Sequence, residues 1–325
     1  MYSNIVRCDE YRQRLLKFIK NVYDIDIINL TVAKRGFYGE TWRLDVKGGS
    51  FFLKVVYPAV HKPVYKRSFQ IIRHLCDHGI DFISRIKKTK DGRLFAQFDG
   101  AVLGIFDWID GENIQNKKTK IEEYKMLAKV YTVLPGEISI PCEDFSVYNA
   151  DRFFKQWNAL KDEPLKSLFE KNRMKIEQRA ERLHRFSKLC SGDIADFYIT
   201  HGDAGGNFIE NGDRYYIVDW DNPIYAPVER DAWFCMSWDW AMNAFHNSLR
   251  ENGINYTLRP ERLAYYCYEY FFFYLNAYLD ANTQADTVEE YIDGWIEESF
   301  DYADMIPCSP TGRSCPFFIE PSSYP

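Results

Sequence analysis

The chain has 325 residues, 46% of them hydrophobic and 17% aromatic, with 8 cysteines and a formal net charge of −6. This composition excludes a disordered or fibrous chain, and the length allows one large or two modest domains with real cores. No apolar run reaches the roughly 18 residues that a membrane-spanning helix needs. The cysteines show no CxxC pair and no zinc-site spacing, and the N-terminal segment lacks the apolar stretch of a signal peptide. Reduced, mostly buried thiols in a cytoplasm are therefore expected.

Along the chain, residues 3–23 predict an amphipathic helix and 25–33 a strand. Lys34 to Glu40 is a turn punctuated by Gly36 and Gly39, followed by strands over 41–46 and 51–57 that are joined by Lys47-Gly48-Gly49-Ser50. A helix over 63–78 stops near Gly79, and two further strands, 93–99 and 102–108, are split at Asp99-Gly100. The expected architecture is α+β and bilobal. A five-stranded antiparallel lobe over 1–106 precedes a larger, mostly helical lobe over 107–325, with residues 107–113 as connector. Helices are predicted over 117–134, 149–160, 163–189, 230–249, 259–280 and 286–304, with an irregular, proline-bearing tail from 306.

The helical series is interrupted at His201-Gly202-Asp203-Ala204-Gly205-Gly206-Asn207, followed by Asp219-Trp220-Asp221. Asn211-Gly212 is read as the turn of a hairpin, because both residues tolerate positive φ. Folding back about that turn brings Asp219 beside the loop that carries Asp203. A loop Asp, an Asn and a strand-end Asp are what Mg-ATP phosphoryl transfer uses: one carboxylate orients the attacking hydroxyl, and oxygen ligands hold the metal on the phosphates. Any one of these residues alone reads as an ordinary turn residue; the ordered combination is the informative signal.

In the first lobe, Gly36 and Gly39 let backbone N–H groups approach phosphates. No GxxxxGKS/T loop exists. Lys54, flanked by apolar residues on the third strand, is costly to bury unpaired, which suggests a place near nucleotide phosphates. An exposed lysine on an edge strand is the plainer alternative. The order glycine turn, strand, turn, strand with lysine matches that of a kinase lobe.

These segments together resemble the aminoglycoside phosphotransferase and choline kinase superfamily, whose fold is protein-kinase-like. The stretches Lys90 to Ala96, Asp219 to Pro223 and Ala226 to Asp231 are similar to its spectinomycin-phosphotransferase-like branch, and the likeness spans roughly residues 25–250. The resemblance implies Asp203 as the catalytic carboxylate and His201 as a brace for its loop. It implies Asn207 and Asp219 as Mg²⁺ ligands and Lys54 as the grip on ATP or GTP phosphates. Loop 35–41, with Arg35, Gly36 and Gly39, would cover the phosphates, and residues 104–108, including Ile105 and Asp107, would contact adenine through the backbone. Two departures stand out. Three residues rather than four separate Asp203 from Asn207, which makes Asp221 an alternative ligand, on the same side of an extended chain as Asp219. Residues 58–76 hold no acid to pair with Lys54, leaving Gln70 as the nearest polar candidate.

Charge divides unevenly along the chain. Residues 1–100 carry 19 Lys and Arg against 10 Asp and Glu, and residues 201–325 carry 6 against 21. A basic front suits phosphates and an acidic back suits a cation. Asp239, Glu261 and Glu269 occur with Trp233, Trp238, Trp240, Tyr265, Tyr266 and Tyr270, a composition suited to a cationic alcohol such as an aminoglycoside or aminocyclitol. Solvated helix faces and ordinary core packing are the plain readings of the same residues. No nucleic-acid motif and no membrane partner are read, and the oligomeric state is not legible. Three function classes follow: a small-molecule kinase of antibiotic-like or metabolic acceptors (choline, homoserine, an amino sugar), a kinase-like nucleotide binder without turnover, and a metal-dependent hydrolase on His201, Asp203, Asp219 and Asp221. The 6 scattered histidines argue against the last.

Overall fold

Five strands pair into one antiparallel sheet in the order β1-β2-β3-β5-β4. They are β1 (Ile27–Val32), β2 (Glu40–Val46), β3 (Gly49–Val56), β4 (Ala96–Phe98) and β5 (Ala101–Asp107). The structure is a computed structural model and describes residues 7–33, 39–191, 194–294 and 297–307. Turn chemistry fixes the registers. Asp99 and Gly100 both take positive φ, at 46° and 77°, as a two-residue type I′ hairpin requires, and Phe98 pairs with Ala101 across them. Lys47-Gly48 closes β2 onto β3 with positive φ at Gly48 alone, 89°, the type II pattern, and Val46 lies opposite Gly49. Helix α1 (Asp9–Tyr23) buries Tyr11, Leu15, Ile19 and Tyr23, a four-residue spacing that keeps one face of a helix inward. That face joins Leu44, Leu53, Leu103 and Ile105 of the sheet in one core, and each such side chain contributes about 1.5–3 kcal/mol of burial. Helix α2 (Lys62–Asp77) buries Tyr65, Phe69 and Ile72, and α3 (Lys117–Tyr131) begins on a capping box between Asn116 and Thr119.

The strand expected over 93–99 is shorter than its pattern. Thr89 N–H donates to the Arg93 carbonyl at 2.8 Å, and Gly92 donates back to Thr89, so the first residues are committed to a turn. An extended segment that sequence patterning did not predict runs beside β5, where Ile86 bridges Phe106.

The chain divides into two compact units. The first contains residues 1–142, 198–225 and 251–254, and the second residues 143–197, 226–250 and 255–325. The second unit is built on α9 (Pro260–Asp280), against which α4 (Tyr148–Ala159), α6 (Arg173–Cys190), α7 (Glu229–Ala232) and α11 (Glu297–Met305) pack. Pro260 starts α9 at a position where its missing N–H is not needed.

Two helices expected as single elements are divided. The 163–189 helix breaks at Asn172 into α5 (Glu163–Lys171) and α6, because the Asn172 side-chain amide donates to the Leu168 carbonyl and offers the backbone another partner. The 230–249 helix becomes α7, a 3₁₀ turn over Trp233–Ser237, and α8 (Asp239–Glu251). Trp238 is extended there, and ring packing sets the path: Trp233 stacks on Tyr270 at 5.3 Å and Phe234 meets Trp238 edge-on. The 286–304 helix is represented by α10 (Ala285–Gly294) and α11, and residues 295–296 between them lie outside the described residues.

Candidate active site

All of the chemistry-bearing residues of the HGD and DWD segments fall within the first unit. β6 (Phe197–Thr200) leads into His201, a 3₁₀ turn spans Gly205–Asn207, and β7 (Phe208–Asn211) pairs with β8 (Arg214–Ile217). Asn211 faces Arg214 in that ladder, so the two-residue turn is Gly212-Asp213 rather than Asn211-Gly212. Gly212 alone has positive φ, 60°, the type II′ pattern, which needs glycine only at its first central position. The connector fixes the hairpin from the side. Glu112 N–H donates to Glu210 O at 3.0 Å and Glu210 N–H donates to Glu112 O at 2.8 Å. A Cβ on Gly111 would lie 2.3 Å from Glu210 O at a φ of 134°, so only glycine fits that approach.

His201 is 4% exposed. Its Nδ1 accepts from Asp203 N–H at 3.1 Å, so Nε2 carries the proton and donates to Val218 O at 2.9 Å. One neutral ring thereby ties the Asp203 loop to the strand that leads into Asp219. The Trp220 ring meets it edge-on at 4.6 Å. Asp203 is exposed. Asn207 Nδ2 donates to Asp203 O at 2.7 Å and to its carboxylate at 3.2 Å, so the three-residue spacing still brings Asn207 back to Asp203. Gln115 donates to Gly205 O at 2.6 Å, and Asn113 to Gly206 O. Beneath them Lys120 pairs with the buried Glu123 at 2.8 Å. A Cβ on Gly205 would stand 2.9 Å from that ammonium.

Lys54 is 5% exposed on β3. Its ammonium donates to Asp219 at 2.7 Å and to both oxygens of Asp221, at 2.5 and 2.6 Å. The two carboxylates do not reach it along an extended chain: Asp219 takes φ 62°, and Asp221 N–H closes on Asp219 O at 2.8 Å, a three-residue turn about Trp220. Helix α2 supplies no acid; Tyr65 OH donates to Asp221 at 2.6 Å, and Ser68 OH donates to Trp220 O. Gln70, the polar residue nearest to hand in sequence, is exposed instead. Burial alone would push Asp221 up, Lys54 opposes it and Asp219 adds repulsion, and the result is about 6. Burial also acts to raise Asp219, but the Lys54 charge overrides it and holds that carboxyl below its ordinary range. For Lys54, desolvation is overridden by the two carboxylates, which raise its pKa.

Gly39 directly precedes β2, and Arg35 and Gly36 lie outside the described residues. Ile105 is buried; its carbonyl accepts from Lys87 at 2.8 Å, and Asp107 N–H donates to Arg85 O at 2.9 Å. The unpredicted 85–87 segment thus uses those backbone groups within the sheet. No group of three or more His, Cys, Asp or Glu among the described residues is placed to hold a metal by itself.

Residues 29–266 match the family model described as the phosphotransferase enzyme family. The chain belongs to that family. The phosphotransferase is similar to a solved spectinomycin phosphotransferase in complex with ADP and spectinomycin, at 23% identity and a TM-score of 0.68, over 91% of this chain and 95% of that one. An amicoumacin kinase in complex with AMP-PNP and Ca²⁺ matches at 14% identity and 0.63, over 93% and 96%. A microcompartment-associated aminopropanol kinase matches at 14% and 0.63, over 89% and 96%. At these identities the solved structures speak for the kinase-like fold. No curated protein matches the chain. The membership makes it a small-molecule phosphotransferase, which agrees with the resemblance read from the sequence.

In the second unit of the phosphotransferase, the residues singled out for an acceptor divide into core and surface. Tyr265 and Tyr266 are buried and bonded to Ser146 O and Glu143, at 2.7 and 2.9 Å. Trp238 is 37% exposed and stacks on Trp240, and Asp239 beside it is exposed. Burial pushes Glu269, which accepts from Asn149, up to about 8, so at neutral pH it is mostly protonated. Sequence reasoning missed Tyr65, Ser68, Asn113, Gln115 and the Lys120–Glu123 pair. Tyr65 and Ser68 could have been found as polar members of the inward stripe of α2 at i and i+3.

Proposed function

We propose that this chain transfers the γ-phosphoryl group of ATP or GTP to a hydroxyl of a small, cationic molecule of the aminoglycoside or aminocyclitol kind. The observation that carries the reading is the convergence on Lys54 of Asp219 and Asp221, at the end of the strand that His201 ties to Asp203. Asp203 is the group that orients or deprotonates the acceptor hydroxyl. The 1–106 lobe is assigned the nucleotide, with Lys54 exchanging its carboxylate partners for phosphate oxygens and loop 35–41 covering them; residues 107–325 are assigned the acceptor. The donor set of Asn207, Asp219 and Asp221 is all oxygen once Asn207 Nδ2 is spent on Asp203, and it is short of a complete cage. That fits Mg²⁺, which keeps water and takes its other ligands from phosphates. When bound, Mg²⁺ would neutralise charge on the transferring group. Support for a nucleotide and a divalent cation comes from the ADP of the spectinomycin phosphotransferase and the AMP-PNP and Ca²⁺ of the amicoumacin kinase. Trp238, Trp240 and Asp239 supply aromatic faces and a carboxylate suited to a cation. A cytoplasmic location is part of the same reading; no helix among the described residues is long and apolar enough to cross a membrane.

A metabolic acceptor such as choline, homoserine or an amino sugar uses the same machinery, and the fold shared with an aminopropanol kinase supports that second reading. The test is Mg-nucleotide turnover against spectinomycin, aminoglycosides, choline, homoserine and amino sugars, with Asp203→Ala as control. Turnover on one acceptor that disappears in Asp203→Ala is expected. Nucleotide binding with no turnover on any acceptor would favour a kinase-like binder whose Lys54 stays with its two aspartates.

A further inference from the structure

Helix α6 carries Lys175, Arg179, Arg182 and Arg185 along one side of a cavity of about 470 Å³, closed by residues of α10 and α11 and lying wholly in the second unit. Three of these cations are committed. Lys175 is 3.6 Å from Asp293, Arg182 is 3.3 Å from Asp304 and bonds the Tyr268 hydroxyl, and Arg185 pairs with Glu181. Arg179 is not. It is 9% exposed and lines the cavity, and its Nη1 is buried with no hydrogen-bond partner. Its guanidinium lies 3.5 Å from the Phe300 ring and 4.5 Å from that of Phe271. Aromatic faces hold the plane of a guanidinium but satisfy none of its five N–H donors, and a buried cation without hydrogen bonds is costly. Burial accordingly pushes the Arg179 pKa down.

We propose that this cavity is a second ligand site, which takes a small organic anion with its carboxylate or phosphate group against the edge of the Arg179 guanidinium and its apolar part against Phe300. The volume falls within the range of small-molecule sites, roughly 300–1,000 Å³. The guanidinium fork matches either oxyanion in two parallel hydrogen bonds. Because the other three cations are already paired, the oxyanion is located at the Arg179 end; Asp301 also lines the cavity and offsets the remaining charge, so selection rests on the unpartnered guanidinium donors rather than on net charge.

The experiment is calorimetric titration of the full chain with benzoate and, separately, with inorganic phosphate, at fixed ionic strength. The proteins compared are the wild type, Arg179→Met and Lys54→Met. Saturable binding of one probe at one per chain is expected, weakened about tenfold or more in Arg179→Met, the factor that a lost charge-assisted hydrogen bond carries, and retained in Lys54→Met. Benzoate alone assigns a carboxylate ligand, and phosphate alone a phosphate. The Arg179 Nε–Hε NMR resonance of the wild type moves on titration, which decides the matter even if Arg179→Met fails to fold. No saturable binding of either probe, equal binding by Arg179→Met, or a stationary Arg179 resonance overturns the proposal. No turnover enters these readouts, so the result is independent of the phosphotransfer reading.

Discussion

Replacing Lys54 by Met removes the ammonium from between Asp219 and Asp221 while keeping most of its buried stem. Removing one partner of a buried ion pair costs about 3–5 kcal/mol. That figure is too large here, because the Asp219 side chain is 47% exposed and its charge is screened by solvent. Protonation of Asp221 sets a second limit. Its pKa is already about 6 with the lysine present, and at pH 7.5 placing a proton on such a group costs about 2 kcal/mol, at about 1.4 kcal/mol per unit. Losing Lys54 raises this pKa further and makes the proton easier to take. The sign follows: a carboxyl whose folded pKa is raised contributes stability that is present below its unfolded value near 4 and is lost as pH rises through about 6. Lys54→Met therefore destabilises by up to about 2 kcal/mol at pH 7.5 and by well under about 1 kcal/mol at pH 5.5. Urea unfolding of both proteins at the two pH values measures it. An equal loss at both, or a larger loss at pH 5.5, would refute the assignment of Asp221 as the group that takes up the freed charge.

His201→Phe keeps a ring beside Trp220 but leaves Val218 O and Asp203 N–H without their partner; about 1–3 kcal/mol of stability is expected to go, and turnover to fall further than the folded fraction does, read by kcat on folded protein. Gly111→Ala puts a Cβ 2.3 Å from Glu210 O; the clash and the strained φ cost about 1–3 kcal/mol, and a thermal midpoint equal to that of the wild type would contradict the close approach. Glu269→Gln keeps an acceptor for Asn149 without a charge. Because the folded pKa of Glu269 is raised to about 8, wild-type stability declines relative to Glu269→Gln from about pH 4.5 to pH 8, by up to about 1.4 kcal/mol per unit; a pH-independent difference in urea midpoints would count against it.

Much of the first sheet was legible because its turns are spelled out locally. Asp99-Gly100 and Lys47-Gly48 name their own geometry, and the positions of Lys54, Asp203 and Asp219 follow from the elements around them. The breaks at Asn172 and at Trp233–Ser237 were not legible. Helical periodicity runs through both, and what ends the helix is a side-chain hydrogen bond in one case and ring packing against Tyr270 in the other. At the site, period-two alternation put Asp219 and Asp221 together for a reason that the backbone does not use, since Asp219 has φ 62°. Tyr65 and Ser68 were missed because nothing within α2 says that its inward stripe will meet Trp220 and Asp221, about 150 residues later. The 85–87 segment, which takes up the polar groups of Ile105 and Asp107, has no strand pattern of its own.

The first unit is interrupted in sequence by residues 143–197, which belong to the second. Synthesis runs from the N-terminus, so the sheet emerges long before its carboxylates exist. Lys54 and Asp219 are 165 residues apart, and at about 5–20 residues per second the ribosome needs roughly ten to thirty seconds to span that gap. Throughout that interval the face of β3 that carries Lys54, opposite the one from which Leu53 and Val55 enter the sheet core, has no counter-charge from Asp219 or Asp221. The ion pairs that join the lysine strand to the hairpin therefore form only after residues 143–197 have been made.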